Sequence, residues 1–317
     1  MKHINILLLI IVLTSRVTCK EDTGSKTGDN SKDKKPTVSF TFDDGITNDI
    51  LDYKFEDWNN KILNSLEEAN LKAVFFVTGF NKTDQKGRFL LTQWDKQNHK
   101  IANHTFSHPN FNDKNNTLEI FKEELLRTDS IINQYENYVR YFRFPFLKEG
   151  KTKEKIEGIR SILKKEQYQN GYVTIDASDW YVNSRLIKKM RSGERVDTSA
   201  FQDFYLRHII DRAKFYEALS YELNGRHINH TLLLHHNLTS ALFLKSLINE
   251  FKFEGWEVID AMEAYKDPIY QSSPKVVPAG ESLIWSLAKE SGKFEDKLRY
   301  PAEDSRYEKD EMDRLNL

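Results

Sequence analysis

Residues 37 to 79, TVSFTFDDGITNDILDYKFEDWNNKILNSLEEANLKAVFFVTG, decide the fold. Val38, Phe40 and Phe42 alternate with polar neighbours, which predicts a strand with one buried face. In DWNNKILNSLEEANL, Ile62, Leu63, Leu66 and Ala69 recur at helical spacing. KAVFFVTG is a continuous apolar run ended by glycine, the signature of a strand covered on both faces. Strand, helix and buried strand then recur. HKIANHT precedes a helix across NTLEIFKEELLRTDSIINQYE, YVRYFRFPF follows, and YVTIDASDW, HTLLLHH and WEVIDAMEAY come later. The alternation predicts an α/β protein whose parallel sheet is closed or nearly closed into a barrel. No internal repeat is evident. An amphipathic helical insertion, FQDFYLRHIIDRAKFYEALSYEL, interrupts the pattern at about 181–229. After about residue 270 the chain turns Pro-rich and then strongly charged, as expected of a C-terminal extension (271–317) lying on a domain that spans 37–270.

The chain has 317 residues, 39 % of them hydrophobic, enough for one large core. Its charges balance to −1, so it offers no broad field for nucleic acid or for an anionic bilayer. Ahead of the domain, residues 1–19 (MKHINILLLIIVLTSRVTC) join a basic start to ten mostly apolar residues, Ile4 to Leu13, too few to span a bilayer. They read as an export signal. Cys19, the only cysteine, excludes an intramolecular disulfide and stands where such a signal is processed. Lipid attachment there would be the chain's one route to a membrane; cleavage after it would discard the thiol. Residues 20–36, rich in Lys, Asp, Ser and Gly, read as a flexible polar linker.

Chemistry in parallel α/β folds gathers at the carboxyl ends of the strands. Five such ends carry ionisable groups: Asp43 and Asp44; His104 and His108; Arg143, with Pro145; Asp176 and Asp179, with Trp180; and His235 with His236. HTFSH puts two imidazoles four residues apart, able to grip one ion if the segment is helical or tightly turned. With one carboxylate they make a His₂Asp set that leaves a coordination position for water. Successive strand side chains face apart, so one of Asp43 and Asp44 can hold the ion while the other serves as base. If both bound the ion, no base would remain. Each feature alone has an ordinary reading: an Asp pair before glycine as a turn or cap, Arg143 as an exposed charge, Trp180 as a core or rim aromatic. Their joint order is what points to a site. His236 reads as structural, with a second acid or substrate contact as the alternative, His99 as a supporting or surface residue, and the basic run RLIKKMRSGER as a solvated face, with attraction of an anionic glycan as the alternative.

In that order TFDDG, NHTFSH, RFPF, DASDW and LLLHH resemble the five motifs of the polysaccharide deacetylases, the fourth carbohydrate esterase family. The resemblance runs from about residue 37 to 265. It departs at Phe146, where many members have tyrosine, and at His236, where aspartate is frequent. It implies a distorted (β/α)₇ barrel, a divalent ion, most simply Zn²⁺ with Co²⁺ or Ni²⁺ as alternatives, and removal of acetyl groups from a glycan. By motif, Asp44, His104 and His108 would hold the metal and Asp43 would be the base, oriented by Arg143. His235 would be the general acid, poised by Asp179. The backbone at Phe146 would face the oxyanion, and Trp180 would wall the acetyl pocket. The expected partner is an N-acetylglucosamine polymer such as peptidoglycan, poly-N-acetylglucosamine or chitin-like oligomers, outside the cytoplasm. The alternatives are an O-acetyl esterase acting on xylan or another glycan, and a silent glycan-binding protein.

Overall fold

The computed structural model describes residues 35–193, 196–298 and 305–317. The export signal, Cys19 and residues 20–34 of the linker lie outside them. In chain order the elements begin β1 (Thr37–Asp44), α1 (Phe55–Glu68), β2 (Val74–Val77), α2 (Gln85–Lys96), β3 (Lys100–Asn103), α3 (Leu118–Ile132) and β4 (Tyr138–Phe142). There follow β5 (Lys148–Gly150), α4 (Lys153–Lys165), β6 (Gln169–Asn170), α5 (Asp179–Arg191), α6 (Thr198–Asn224), β7 (Asn229–His235) and α7 (Leu238–Phe253). The last are β8 (Glu257–Val258), α8 (Ala261–Ala264), β9 (Ala279–Gly280), α9 (Leu283–Ser291) and α10 (Arg306–Arg314).

Seven strands form one parallel sheet in the order β6-β4-β3-β2-β1-β7, with β8 pairing the start of β1. The sheet curls, as expected of a distorted barrel. One segment touches both of its ends. Gly171 N donates to Phe142 O on β4, and four residues later Ile175 N donates to Thr231 O on β7. YVTIDASDW (172–180) accordingly forms no strand of its own: the two-residue β6 lies just before it, and Ile175 makes only an isolated bridge to Leu232 of β7. WEVIDAMEAY likewise gives only β8 before turning into α8.

The apolar periodicities bury as expected. Val38, Phe40 and Phe42 of β1 are covered, and so are Ile62, Leu63 and Leu66 of α1. Phe42, Phe75 and Trp94 stack through the core at centroid distances of 5.1 and 4.1 Å. Side-chain caps fix several helix starts: Asp84 accepts from Gly87 N, Thr117 from Ile120 N and Asn237 from Ser240 N. The insertion consists of α5 and the 27-residue α6. Beyond residue 271, β9 pairs antiparallel with β5, and α10 lays acidic side chains on α5 and α6.

Candidate metal and catalytic site

The end of β1 breaks the strand's own rule. Asp43 is the last residue with strand geometry, while Asp44 turns to a φ of 78°, in the left-handed region. Alternation therefore fails here. Both carboxylates reach the ring of His104, whose Nε2 lies 3.6 Å from Asp43 Oδ2 and 3.9 Å from Asp44 Oδ1. The bend is held by Thr78, whose N–H and hydroxyl both donate to Asp44 O. Gly45 follows at φ 72°, where an added Cβ would stand 2.9 Å from the Trp94 ring. No other residue fits.

The two imidazoles come from the loop after β3, a tight turn with Thr105 at φ 67° and His108 at φ 60°. Asn103 Oδ1 accepts from Thr105 N, and Glu124 of α3 accepts from the N–H groups of Phe106 and Ser107 and from the Ser107 hydroxyl. His104 Nδ1 donates to Arg143 O at 2.9 Å, which turns the lone pair of Nε2 towards the carboxylates. His108 Nε2 stands 3.6 Å from Asp44 Oδ1. Burial, aided by the neighbouring His104, lowers the His108 pKa to about 4, so its ring is a neutral donor at neutral pH. Burial works against the Asp44 charge, but His235, His108 and His104 together hold its pKa below the ordinary value. One ligand atom from each of Asp44, His104 and His108 lies within 4.8 Å of the others. An ionised carboxylate and two ring nitrogens converging in this way fit a divalent ion of the zinc class.

Asp43 faces a different partner. Arg143, fully buried just past β4, donates through Nη1 to Asp43 Oδ1 at 2.6 Å and to Thr41 Oγ1 at 2.9 Å. Its Nε donates to Gly171 O and its Nη2 to Tyr265 OH, and its plane lies 3.8 Å from the Phe76 ring centroid. Across the cavity, His235 ends β7. Asp179, wholly buried at the first turn of α5, accepts from His235 Nδ1 at 2.7 Å, His235 N at 2.8 Å and Asn237 Nδ2 at 3.0 Å. Burial disfavours the imidazolium, but the Asp179 carboxylate outweighs it and the His235 pKa rises to about 10. Asp43, Asp44, His104, His108, Phe146, Leu147, Trp180, Leu233 and His235 line one cavity of ≈ 330 Å³.

Every site residue expected from the sequence is therefore at this cavity or hydrogen-bonded to a residue that lines it. Asp176 is buried but does not line it. His236 points away, buried 4.5 Å from the Trp58 ring and bonded to Asn59 Oδ1, so here strand alternation holds. His99 is not at the surface: it is buried behind Phe75, its Nδ1 accepting from Ala73 N. Arg185 and Lys189 of the basic run are taken up by Asp313 and Asn316 O of the C-terminal segment, so these two are not simply solvated charges. Sequence reasoning missed Glu124, Thr41, Tyr265 and Asn237, all supports of the site. Each acts across a long stretch of chain, which no local pattern marks.

Residues 30–168 match the family model described as polysaccharide deacetylase. The chain is 33 % identical over 113 residues, 35 % of its length, to a Bacillus cereus peptidoglycan-N-acetylglucosamine deacetylase. To a Bacillus subtilis peptidoglycan-N-acetylmuramic acid deacetylase it is 28 % identical over 189 residues, 58 % of its length. It spans 37 % and 63 % of those two relatives. Its fold is similar to that of a polysaccharide deacetylase from Bacillus cereus, at TM-score 0.50 and 18 % identity over 71 % of this chain and 91 % of that one. The fold is also similar to that of a family 4 carbohydrate esterase pseudoenzyme from Bacillus anthracis, at TM-score 0.51 and 18 % identity over 73 % and 66 % of the two chains. Residues 30–168 thus match the polysaccharide deacetylase family, and relatives and fold agree with the five motifs on the strand ends.

Proposed function

We propose that this protein is a metal-dependent hydrolase that removes N-acetyl groups from an N-acetylglucosamine-containing glycan of the cell envelope. One observation carries the reading: the adjacent carboxylates share His104 but differ in their second partner, Asp44 beside His108 and Asp43 on the buried Arg143, with His235 lining the same cavity. The names of the relatives support peptidoglycan as the substrate class. The apolar stretch at the amino terminus supports export, and among the described residues no helix is long and apolar enough to cross a membrane.

In this reading Asp44, His104 and His108 hold the ion, and a bound Zn²⁺, or Co²⁺ or Ni²⁺ in its place, would polarise the acetyl carbonyl and acidify water. Asp43, fixed by Arg143, takes a proton from the attacking water, whose oxygen bonds to the carbonyl carbon. The oxyanion faces the turn at Phe146 and Leu147, both at left-handed φ. Leu147 N already donates to Phe144 O, so the Phe146 N–H is the donor we assign to the oxyanion. The C–N bond breaks as His235 passes its proton to the nitrogen, because an amine leaves poorly as its anion. Acetate and a glucosamine residue result. Trp180 walls the cavity on the acetyl side.

Acetate release by the zinc-loaded full chain tests this, with N-acetylglucosamine oligomers and O-acetylated xylan as parallel substrates. The reading expects release from the oligomers. Release from xylan alone would replace it with an esterase, and binding of either glycan without release would make the protein catalytically silent.

A further inference from the structure

We propose that the C-terminal helix α10 sets the position of the catalytic acid, with Glu308 and His208 as positioning residues that act on Asp179 and through it on His235. The inference rests on the reading of His235 as general acid given above.

The path is short and buried. Ser178, the residue before Asp179, caps α5: its carbonyl accepts from Tyr181 N at 3.0 Å and Val182 N at 3.3 Å. Its own N–H donates to Nε2 of His208, on the insertion helix α6, at 3.0 Å. A ring nitrogen that accepts carries no proton, so the proton of a neutral His208 sits on Nδ1. Nδ1 lies 3.5 Å from Oε1 of Glu308, and that same oxygen accepts from Arg212 Nη2 at 2.6 Å. Glu308, Arg212 and Ser178 are all buried. Arg185–Asp313 and Arg207–Glu311 pairs fasten the outer face of α10 to α5 and α6. The acid's partner therefore begins a helix whose first residues are pinned from behind by groups contributed by the insertion and the C-terminal segment.

Asp179 makes three hydrogen bonds to the β7 end, and all three require it at one place. A displacement of about 1 Å in such a constellation costs on the order of 10² in rate. Loosening Ser178 should therefore cost the step that needs the acid and spare the steps that do not.

The test compares two substrates of the zinc-loaded full chain: an N-acetylglucosamine oligomer, whose amine must be protonated to leave, and p-nitrophenyl acetate, whose phenolate leaves without a proton. His208→Leu removes the acceptor; His208→Gln keeps an acceptor near the same place. The expected result for His208→Leu is a fall of kcat on the oligomer by about tenfold or more with KM unchanged, while the ester stays within about twofold. His208→Gln should recover most of the loss. If the leucine variant does not fold, Glu308→Gln is read in the same way. A parallel fall on both substrates, or none on the oligomer, overturns the proposal. His235→Ala separates this failure from failure of the acid assignment: it should lose the oligomer and keep the ester. If His235→Ala behaves so and the His208 variants do not, the positioning role alone is wrong; if His235→Ala spares the oligomer, the acid assignment falls and the positioning claim with it.

Discussion

A left-handed residue at the end of a strand has a chemical consequence in this molecule. With Asp44 at φ 78°, two neighbours in sequence line one cavity and both reach His104, while only Asp44 approaches His108 and only Asp43 takes the Arg143 hydrogen bond. Left-handed backbone in a non-glycine residue is a strain that the surrounding structure must hold, here through Thr78 and the Gly45 turn. Arg143 is as constrained as the carboxylate it orients, donating to Asp43, Thr41, Gly171 O and Tyr265 at once. A lysine cannot reproduce that fork. Arg143→Lys is therefore expected to lower kcat for acetate release by about 10²-fold while bound zinc is retained, as read by steady-state kinetics beside metal analysis. At this scale the sequence was informative about which residues matter: spacing and motif order named Asp43, Asp44, His104, His108, Arg143, Asp179 and His235. It misjudged how the two aspartates face, because period-two alternation holds only while φ stays in the strand region.

Among the elements, the loop after β3 depends on a residue from α3. Glu124 accepts three hydrogen bonds from Phe106 and Ser107, and these set the turn that carries His108 towards Asp44. Supports of this kind typically change metal affinity by 10–100-fold when removed. Glu124→Ala should weaken zinc binding by about that factor in calorimetric titration, and a wild-type affinity would show that the turn holds itself. The contact between α10 and α6 rests on the buried Arg212–Glu308 pair. Removing one partner of such a pair leaves an uncompensated buried charge. Arg212→Leu should cost about 3–5 kcal/mol in urea unfolding. The helices and long strands were legible because their apolar periodicity is local. The short β6 was not, since it lies just ahead of the apolar run that reads as a strand, and β8 covers only two residues of WEVIDAMEAY. The fate of the basic run was hidden too, because Arg185 meets Asp313 from 128 positions away.

Across the whole molecule, buried histidines make stability depend on pH. Burial, with a smaller push from Lys72, lowers the His99 pKa to about 3, and burial with Lys82 lowers that of His236 to about 3. In the unfolded chain each titrates near 6.5. Between about 6.5 and 3 the unfolded state binds more protons, so stability falls as pH falls, by about 1.4 kcal/mol per pH unit for each ring. His235 has the opposite sign. Its pKa, raised to about 10, gives stability that is complete below about 6.5 and is lost as pH rises through 10. Unfolding free energy should therefore peak near neutral pH, and His99→Phe should flatten the acid side; a curve level from pH 7 to 5 would contradict both lowered values. In the proposed reading, Asp44 holds the metal and Asp43 takes the proton. The most direct test measures bound zinc and acetate release together in Asp43→Asn and Asp44→Asn. The account predicts that Asp43→Asn keeps stoichiometric zinc and loses about 10²–10⁴ in turnover, while Asp44→Asn loses the zinc itself. Loss of zinc from Asp43→Asn, or full zinc in Asp44→Asn, would contradict it.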